Sequence, residues 1–195
     1  MCIRDRTQQR PDTVGNLKKD KLFPCQCVTS DQYICGEPER LYNSRCHTLH
    51  QDKYIGGTIF CDVSSRFISI HHQVSLAASD TIQAKISFEN SASNNGVKIA
   101  KYHTDNGIFK SNAFLEELAN HKQLINFSGV GAPHQNAIAE RSICIITFMV
   151  RTMMAHVAMH QPKGVITVNL WPMVMDYAFW LFNHIPHMCT GFTPM

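Results

Sequence analysis

The apolar positions of this chain follow two periods, and the change between them predicts the order of its elements. β-Branched and aromatic residues are dense in the runs CQCVTSDQYI, YIGGTIFCDV and SRFISIHHQV, which follow one another between residues 25 and 74. Such runs, bounded by polar stretches, are typical of strands. Three strands in succession predict an antiparallel meander at the start of the fold.

From about residue 79 the pattern becomes helical and then alternates. Ser79 followed by Asp80 predicts a helix start, and Asn95-Gly96 predicts its end, so a helix is expected over about 79–94. The stretch VKIAKYH then predicts a strand, SNAFLEELANH a helix and QLINFS a further strand. Strands and helices therefore alternate in the middle of the chain.

Two apolar stretches complete the pattern. The first predicts a helix over about 137–160, because its apolar residues recur at spacings of three and four and form one stripe that should pack on the sheet. These residues are Ile143, Ile146, Val150, Met153 and Val157. The second, NLWPMVMDYAFWLFNHI, predicts a helix with Pro172 in its first turn. The whole order predicts an α/β fold, a mixed five-stranded sheet with helices on both faces.

Composition sets the boundaries of this fold. A chain of 195 residues that is 44% hydrophobic and 17% charged suits one compact domain. Residues 1–24 are predicted to be a linker or tail, since they are polar and contain Pro11, Gly15 and Pro24, and the domain is expected over 25–195. The opening MCIRDR resembles translated sequencing-adapter read-through and is excluded from fold reasoning.

Charge and cysteine content narrow the expected setting. Six basic and three acidic residues in positions 1–24 account for the whole net charge of +3, so the core has no general polyanion-binding composition. The eight cysteines are irregularly spaced, and we expect free thiols. Because no apolar run approaches the roughly 20 residues that span a bilayer, and no secretory signal opens the chain, we expect a soluble, intracellular protein without membrane contact.

A zinc site is a poor interpretation of the histidines and cysteines. One residue separates Cys25 from Cys27, and two residues separate His47 from His50. Both spacings differ from those usual for zinc ligands. We expect these residues to be ordinary structural residues.

Acidic residues at predicted element ends indicate the chemistry. Asp105 follows a strand and precedes the turn-forming pair Asn106-Gly107, at the sheet edge where open α/β folds bind ligands. Glu140 lies 35 positions later in the first turn of the long helix, and Asp31 lies in the first strand. Three converging carboxylates favour a hard-cation site, and two Mg²⁺ ions roughly 4 Å apart would suit phosphodiester chemistry. Asp62, also at a strand end, competes with Asp31 for the first position.

Four motifs in this order resemble those of copia-type LTR-retrotransposon integrase catalytic cores, which are retroviral-type integrases of the RNase H-like superfamily. They are VTSDQY, YHTDNG, HQNAIAER and NHIPHMCTGFTP, and the resemblance covers roughly 22–195. It implies an RNase H-like fold. It also implies that Asp31, Asp105 and Glu140 are catalytic metal ligands, which would hold two Mg²⁺ or Mn²⁺ ions. The implied reaction is attack of the element's 3′-hydroxyl on a target DNA phosphodiester, with 3′-end processing as a related activity.

The resemblance also implies partners and a location. The expected partners are element DNA ends, target DNA and other integrase subunits. The expected location is first a cytoplasmic virus-like particle and then, at integration, the nucleus. The family's zinc-binding N-terminal and C-terminal domains are absent from the sequence, so a polyprotein fragment is expected. Residues that either contact DNA or serve structural roles are Asn106, His134, Gln135, Asn136, Arg141 and Arg151.

The sequence departs from the family pattern near the glutamate. The spacing from Asp105 to Glu140 is one residue shorter than usual, and Ala137 replaces a glycine, which would strain the helix entry if positive φ were needed there. Cys144 stands where a basic residue is usual, and Phe148 replaces a polar one. Two alternatives therefore stay open: a catalytically decayed, non-enzymatic remnant that binds DNA or protein, and an RNase H-like nuclease that cuts without joining.

Overall fold

The computed structural model describes residues 23–39, 53–129, 136–160, 170–186 and 191–194. These residues form five strands and four helices. The elements are β1 (Cys27–Glu39), β2 (Tyr54–Asp62), β3 (Ile68–Gln73), α1 (Ala78–Asn94), β4 (Lys101–Thr104), α2 (Asn112–Asn120), β5 (Leu124–Phe127), α3 (Ala137–His160) and α4 (Trp171–His184). The element order is the predicted one. Most of the predicted linker, residues 1–22, lies outside the described part, as do Cys2, Cys46, Cys189, His47 and His50.

The five strands form one mixed sheet in the order β3-β2-β1-β4-β5. β2 pairs antiparallel with both β1 and β3, which confirms the meander. β4 lies parallel to β1, and β5 lies parallel to β4. β1 is therefore the central strand, with partners on both sides. Because β1 and β4 are parallel and their pairing ends at Ser30 and Thr104, the residues that follow these two positions lie side by side.

Helices cover both faces, as the sequence predicts. On one face α3 and α4 pack over a cluster that includes Ile59, Ile146 and Trp171. On the other face α1 and α2 pack over a cluster built around Phe60 and Tyr102. Phe60 is fully buried, and its ring stacks on that of Phe88 in α1 with centroids 4.7 Å apart. The sheet thus separates two cores, and α3 belongs to the one that Asp31 faces.

The apolar stripe of α3 is buried only in part. Ile146 and Val150 are buried, Ile143 and Met153 are partly buried against the same cluster, and Val157 is half-buried. The helix is 24 residues long with a mean hydropathy of 1.6 over its most apolar window, so by length and composition alone it is long enough to cross a membrane. The sequence expectation that no apolar run approaches that length is therefore wrong. Core helices of soluble proteins have the same property, and α3 packs on the sheet.

Helix ends agree with the sequence more closely than strand ends. Ser111 caps α2 by accepting a hydrogen bond from the backbone nitrogen of Phe114 at 3.4 Å, and Pro172 lies in the first turn of α4. β4 is shorter than VKIAKYH predicts, because only its last residues pair with β1 and β5. The five described cysteines are free thiols, as expected, and burial raises the pKa of Cys25 and Cys35 to about 11.

Candidate active site at the carboxyl edge of the sheet

Asp31 and Asp105 occupy matching positions on neighbouring parallel strands. The pairing between β1 and β4 ends at Ser30 and Thr104. Asp31 directly follows Ser30, and Asp105 directly follows Thr104. Asp31 is half-buried and accepts a hydrogen bond from the backbone nitrogen of Gln32 at 2.8 Å. Asp105 is exposed, just beyond β4, at the edge predicted from the sequence.

Local backbone geometry fixes the Asp105 carboxylate. Its Oδ1 accepts a hydrogen bond from the backbone nitrogen of Gly107 at 3.1 Å, which is the turn that an aspartate makes with the residue two positions later. Asn106 donates from Nδ2 to the carbonyl oxygen of Ser128 at 2.9 Å. The Asn106 amide thus joins the loop after β4 to the residue that follows β5.

Glu140 completes an acidic group around Asp31. It lies in the first turn of α3 and is exposed. Burial is the largest cause that raises the pKa of Asp31, to about 6, and the charges of Asp105 and then Glu140 add to it, while the Gln32 hydrogen bond opposes them. Asp105 and Glu140 therefore both lie within electrostatic range of Asp31.

Asn136 and Ser142 attach the start of α3 to the sheet. The Asn136 side chain is only 2% exposed and donates from Nδ2 to the carbonyl oxygen of Ser30 at 3.3 Å. The Ser142 hydroxyl donates to the carbonyl oxygen of Ile138 at 2.8 Å, and its oxygen lies 3.4 Å from the sulfur of Cys61 in β2. The residue at the replaced glycine, Ala137, is exposed and does not have positive φ, so alanine causes no backbone strain there.

The donor chemistry of this edge fits a hard divalent cation, although the ligands are not assembled in contact. Carboxylate oxygens are the ligands that Mg²⁺ prefers, and none of the three acids forms an ion pair with a lysine or arginine among the described residues. Within that same part of the chain, no three acidic, histidine or cysteine side chains are close enough to hold one ion. The edge therefore carries uncompensated negative charge that a cation would neutralise.

Asp62, the alternative to Asp31, lies elsewhere and has another role. It pairs with Val28 across the antiparallel strands, so it lies beside the amino end of β1, whereas Asp31 lies three residues further along β1, opposite Ile59. Its carboxylate is fully buried and accepts hydrogen bonds from the backbone nitrogens of Cys25 at 2.8 Å and Ser65 at 2.7 Å. Asp62 closes the turn between β2 and β3.

The two adjacent histidines of β3, His71 and His72, make their contacts within the fold. His72 lies between the Tyr33 hydroxyl at 2.5 Å and Asp176 Oδ1 at 3.0 Å, which connects β1, β3 and α4. His71 points to the opposite face, where its ring contacts that of Phe60 and burial lowers its pKa to about 4. Neither histidine lies beside the acidic edge.

The remaining candidate DNA contacts divide into three groups. Arg141 and Arg151 are exposed on α3, and neither forms an ion pair with any residue that the structure describes. Asn136 is buried and hydrogen-bonded, which corresponds to the structural role weighed from the sequence. His134 and Gln135 lie outside the described residues.

Comparison with known proteins places the fold. No family model and no curated protein matches the chain. Among solved structures, the magnesium complex of the HTLV-2 integrase catalytic core matches in its trimeric form with a TM-score of 0.60 at 19% identity, over 89% of this chain and 95% of that one. Its dimeric form matches with a TM-score of 0.58 at 20% identity, over 89% and 95% of the two chains.

A third match is a simian T-cell lymphotropic virus intasome in complex with PP2A regulatory subunit B56 gamma. It has a TM-score of 0.65 at 16% identity and covers 89% of this chain and 54% of that chain. At such identities, similarity establishes the fold and leaves the activity to the residues of the site. The chain therefore has the α/β fold of retroviral integrase catalytic cores, which confirms the RNase H-like architecture expected from the sequence.

Proposed function

We propose that residues 25–195 are the catalytic core of a copia-type LTR-retrotransposon integrase, part of a polyprotein in which residues 1–24 are a linker. The activity is divalent-metal-dependent DNA strand transfer, with 3′-end processing by water as a second reaction. The observation that carries the proposal is the side-by-side position of Asp31 and Asp105, which directly follow the last residues that pair β1 with β4, while the charge of Glu140 on α3 also acts on Asp31. The four sequence motifs, in family order, support it independently.

Asp31, Asp105 and Glu140 would hold two Mg²⁺ or Mn²⁺ ions. When bound, such cations neutralise the phosphate, activate the attacking oxygen and stabilise the leaving one. In strand transfer a 3′-hydroxyl gives up its proton to solvent as its oxygen forms the new bond to phosphorus. The old phosphorus–oxygen bond of the target strand breaks, and the displaced 3′-oxygen takes up a proton from solvent. The reaction forms no covalent bond to the protein.

The residues of the chain contribute orientation and charge. The backbone N–H of Gln32 donates a hydrogen bond to Asp31, and the backbone N–H of Gly107 donates one to Asp105. Because these bonds are directional, the two carboxylates are pre-oriented. Asp31 must lose its proton to act as a ligand, so its pKa of about 6 in the metal-free protein predicts cation binding that strengthens as the pH rises through that range. Arg141 and Arg151, exposed on the helix that carries Glu140, are placed to contact phosphates.

Partners and location follow from the same proposal. The DNA partners would be the element ends and the target, in the nucleus, after assembly in a cytoplasmic virus-like particle. The protein partners would be other copies of the integrase. Self-association is supported by the outer face of α4, where Met173, Tyr177 and Trp180 are 52%, 56% and 49% exposed. The Tyr177 and Trp180 rings stack with centroids 6.1 Å apart and form one apolar surface.

A specific observation favours the decayed remnant as a second candidate. Cys144 is exposed one turn after Glu140, where the family has a basic residue, so α3 lacks one cation close to the acids. The absence of a pre-assembled three-ligand group among the described residues points the same way. In this candidate the fold persists and the chemistry is lost.

Reversal of strand transfer on a branched DNA substrate tests the proposal, because it needs one active site and little assembly. The parent chain, Asp105→Asn and Glu140→Gln are compared with Mn²⁺ or Mg²⁺, after circular dichroism has shown that each is folded. Resealed target strands from the parent alone support the proposal. Cleavage without resealing indicates a nuclease. No product from the folded parent, while an intact integrase works in parallel, identifies the remnant.

A further inference from the structure

Asn136 links the two elements that carry Glu140 and Asp31. It directly precedes α3, and Glu140 follows it by one helical turn. Its Nδ2 donates to the carbonyl oxygen of Ser30, the residue before Asp31, although the two residues are 106 positions apart. A single side chain thus spans from the start of the helix to the strand at the centre of the site.

The surroundings of Asn136 show why this hydrogen bond matters. Its side chain is 2% exposed, and Oδ1 has no hydrogen-bond partner among the described residues. A buried amide with an unsatisfied oxygen is unfavourable compared with an apolar residue of similar size. Stability alone therefore does not account for an asparagine at this position.

Apolar packing cannot supply the same restraint. Ala139 is fully buried and Ile138 partly so, and both hold the first turn of α3 close to the sheet. Such contacts are non-directional and allow a helix to rotate or slide by a small amount. A hydrogen bond has a preferred angle and length, and it fixes the rotation that decides whether Glu140 faces Asp31.

We infer that Asn136 is a positioning residue that sets the separation between Glu140 and Asp31 through its bond to the Ser30 carbonyl. The inference rests on the proposed function, because it assigns Asn136 to the geometry of the proposed cation site. It differs from the DNA contact suggested by the sequence, since a side chain engaged with Ser30 is turned into the protein.

Direct Mn²⁺ binding without DNA, measured by electron paramagnetic resonance of the free ion, tests the inference separately from catalysis. Asn136→Ala is expected to weaken Mn²⁺ binding about tenfold or more, the usual effect of losing a residue that orients a metal ligand. If Asn136→Ala does not fold, Asn136→Ser takes its place, because serine keeps a polar side chain at the helix start but lacks the reach to Ser30. Circular dichroism and thermal melting accompany each titration.

Asn183→Ala is the matched control. Asn183 is also 2% exposed, lies on α4, and bonds to both backbone groups of Ile68 at 3.0 Å and 2.7 Å. Its loss should lower the melting temperature and leave the Mn²⁺ dissociation constant within about twofold of the parent, because its hydrogen bonds go to β3, which carries none of the three acids.

The possible results separate the two levels of the argument. Unchanged Mn²⁺ affinity in folded Asn136→Ala overturns the inference, and a loss of DNA affinity in that variant would then assign Asn136 to DNA contact. An equal loss of Mn²⁺ affinity in Asn183→Ala also overturns it, because the effect would then be one of general stability. If the parent itself fails to bind Mn²⁺, the proposed function fails, and the inference falls with it.

Discussion

Replacing Asp31 with asparagine should make the metal-free protein more stable at pH 8. Burial, and then the charges of Asp105 and Glu140, raise the pKa of Asp31 from 3.8 to about 6, so its ionised form is unfavourable in the folded state. Asparagine removes that charge and keeps an oxygen that can accept the 2.8 Å hydrogen bond from Gln32. The substitution therefore relieves repulsion without loss of the local contact.

The magnitude follows from the two pKa values. A rise from 3.8 to about 6 corresponds to about 3 kcal/mol, at about 1.4 kcal/mol for each pKa unit. Because Asp31 is partly exposed, solvent screening reduces the expected gain to about 1–2 kcal/mol. The folded state binds the proton more tightly than the unfolded state, so the penalty is absent below 3.8, grows as the pH rises to about 6, and is complete above it.

Urea unfolding in EDTA at pH 8 and pH 4.5 measures this effect. The gain from Asp31→Asn at pH 4.5 should be roughly a third of the gain at pH 8, because the folded-state carboxyl is then largely protonated. Asp105→Asn, at an exposed position, is the control and should change stability less. A variant that is no more stable than the parent at pH 8, or one with equal gains at both pH values, would refute the reasoning.

Two further substitutions test charges inside the fold. Lys85→Met should lower the free energy of unfolding in urea by about 3–5 kcal/mol, because Glu89 and Glu117 would both lose their cation. The fully buried Lys85 Nζ lies 3.1 Å from Glu89 Oε2 and 3.6 Å from Glu117 Oε1. A loss under about 1 kcal/mol contradicts this prediction. Asp62→Ala should cost about 2–5 kcal/mol by leaving the buried Cys25 amide and the partly buried Ser65 amide unpaired, yet leave the Mn²⁺ affinity of the folded fraction unchanged. Weaker Mn²⁺ binding would place Asp62 in the site after all.

Much of the fold could be predicted because its elements have distinct local patterns. The β-branched and aromatic residues of YIGGTIFCDV and the three-four spacing around Ile146 are properties of the local sequence, and the structure confirms both elements. β4 was predicted too long because its boundary depends on which residues find partners in β1 and β5. The buried Lys85 could not be predicted, since a lysine on an amphipathic helix ordinarily indicates a solvent-exposed face.

The three acids of the candidate site could be proposed from the sequence, whereas the contacts between the elements that carry them could not. Asp105 is revealed by the turn that follows it, and Asp31 and Glu140 by spacing and by the motifs that surround them. The interaction of Asn136 with Ser30 gives no local signal, because it joins residues 106 positions apart. The choice of Asp31 over Asp62 likewise depended on strand direction, which only the sheet reveals.

The parallel pairing of β1 with β4 has a consequence for synthesis. β1 is translated early, but its β4 edge stays open until Lys101–Thr104 have been made, and the bond from Asn136 to Ser30 must wait longer still. Pairings between residues so distant in sequence form slowly, and an unpaired central strand invites association with other chains in the meantime. The acidic edge, which needs β1, β4 and α3 together, is thus among the last parts of the molecule to assemble.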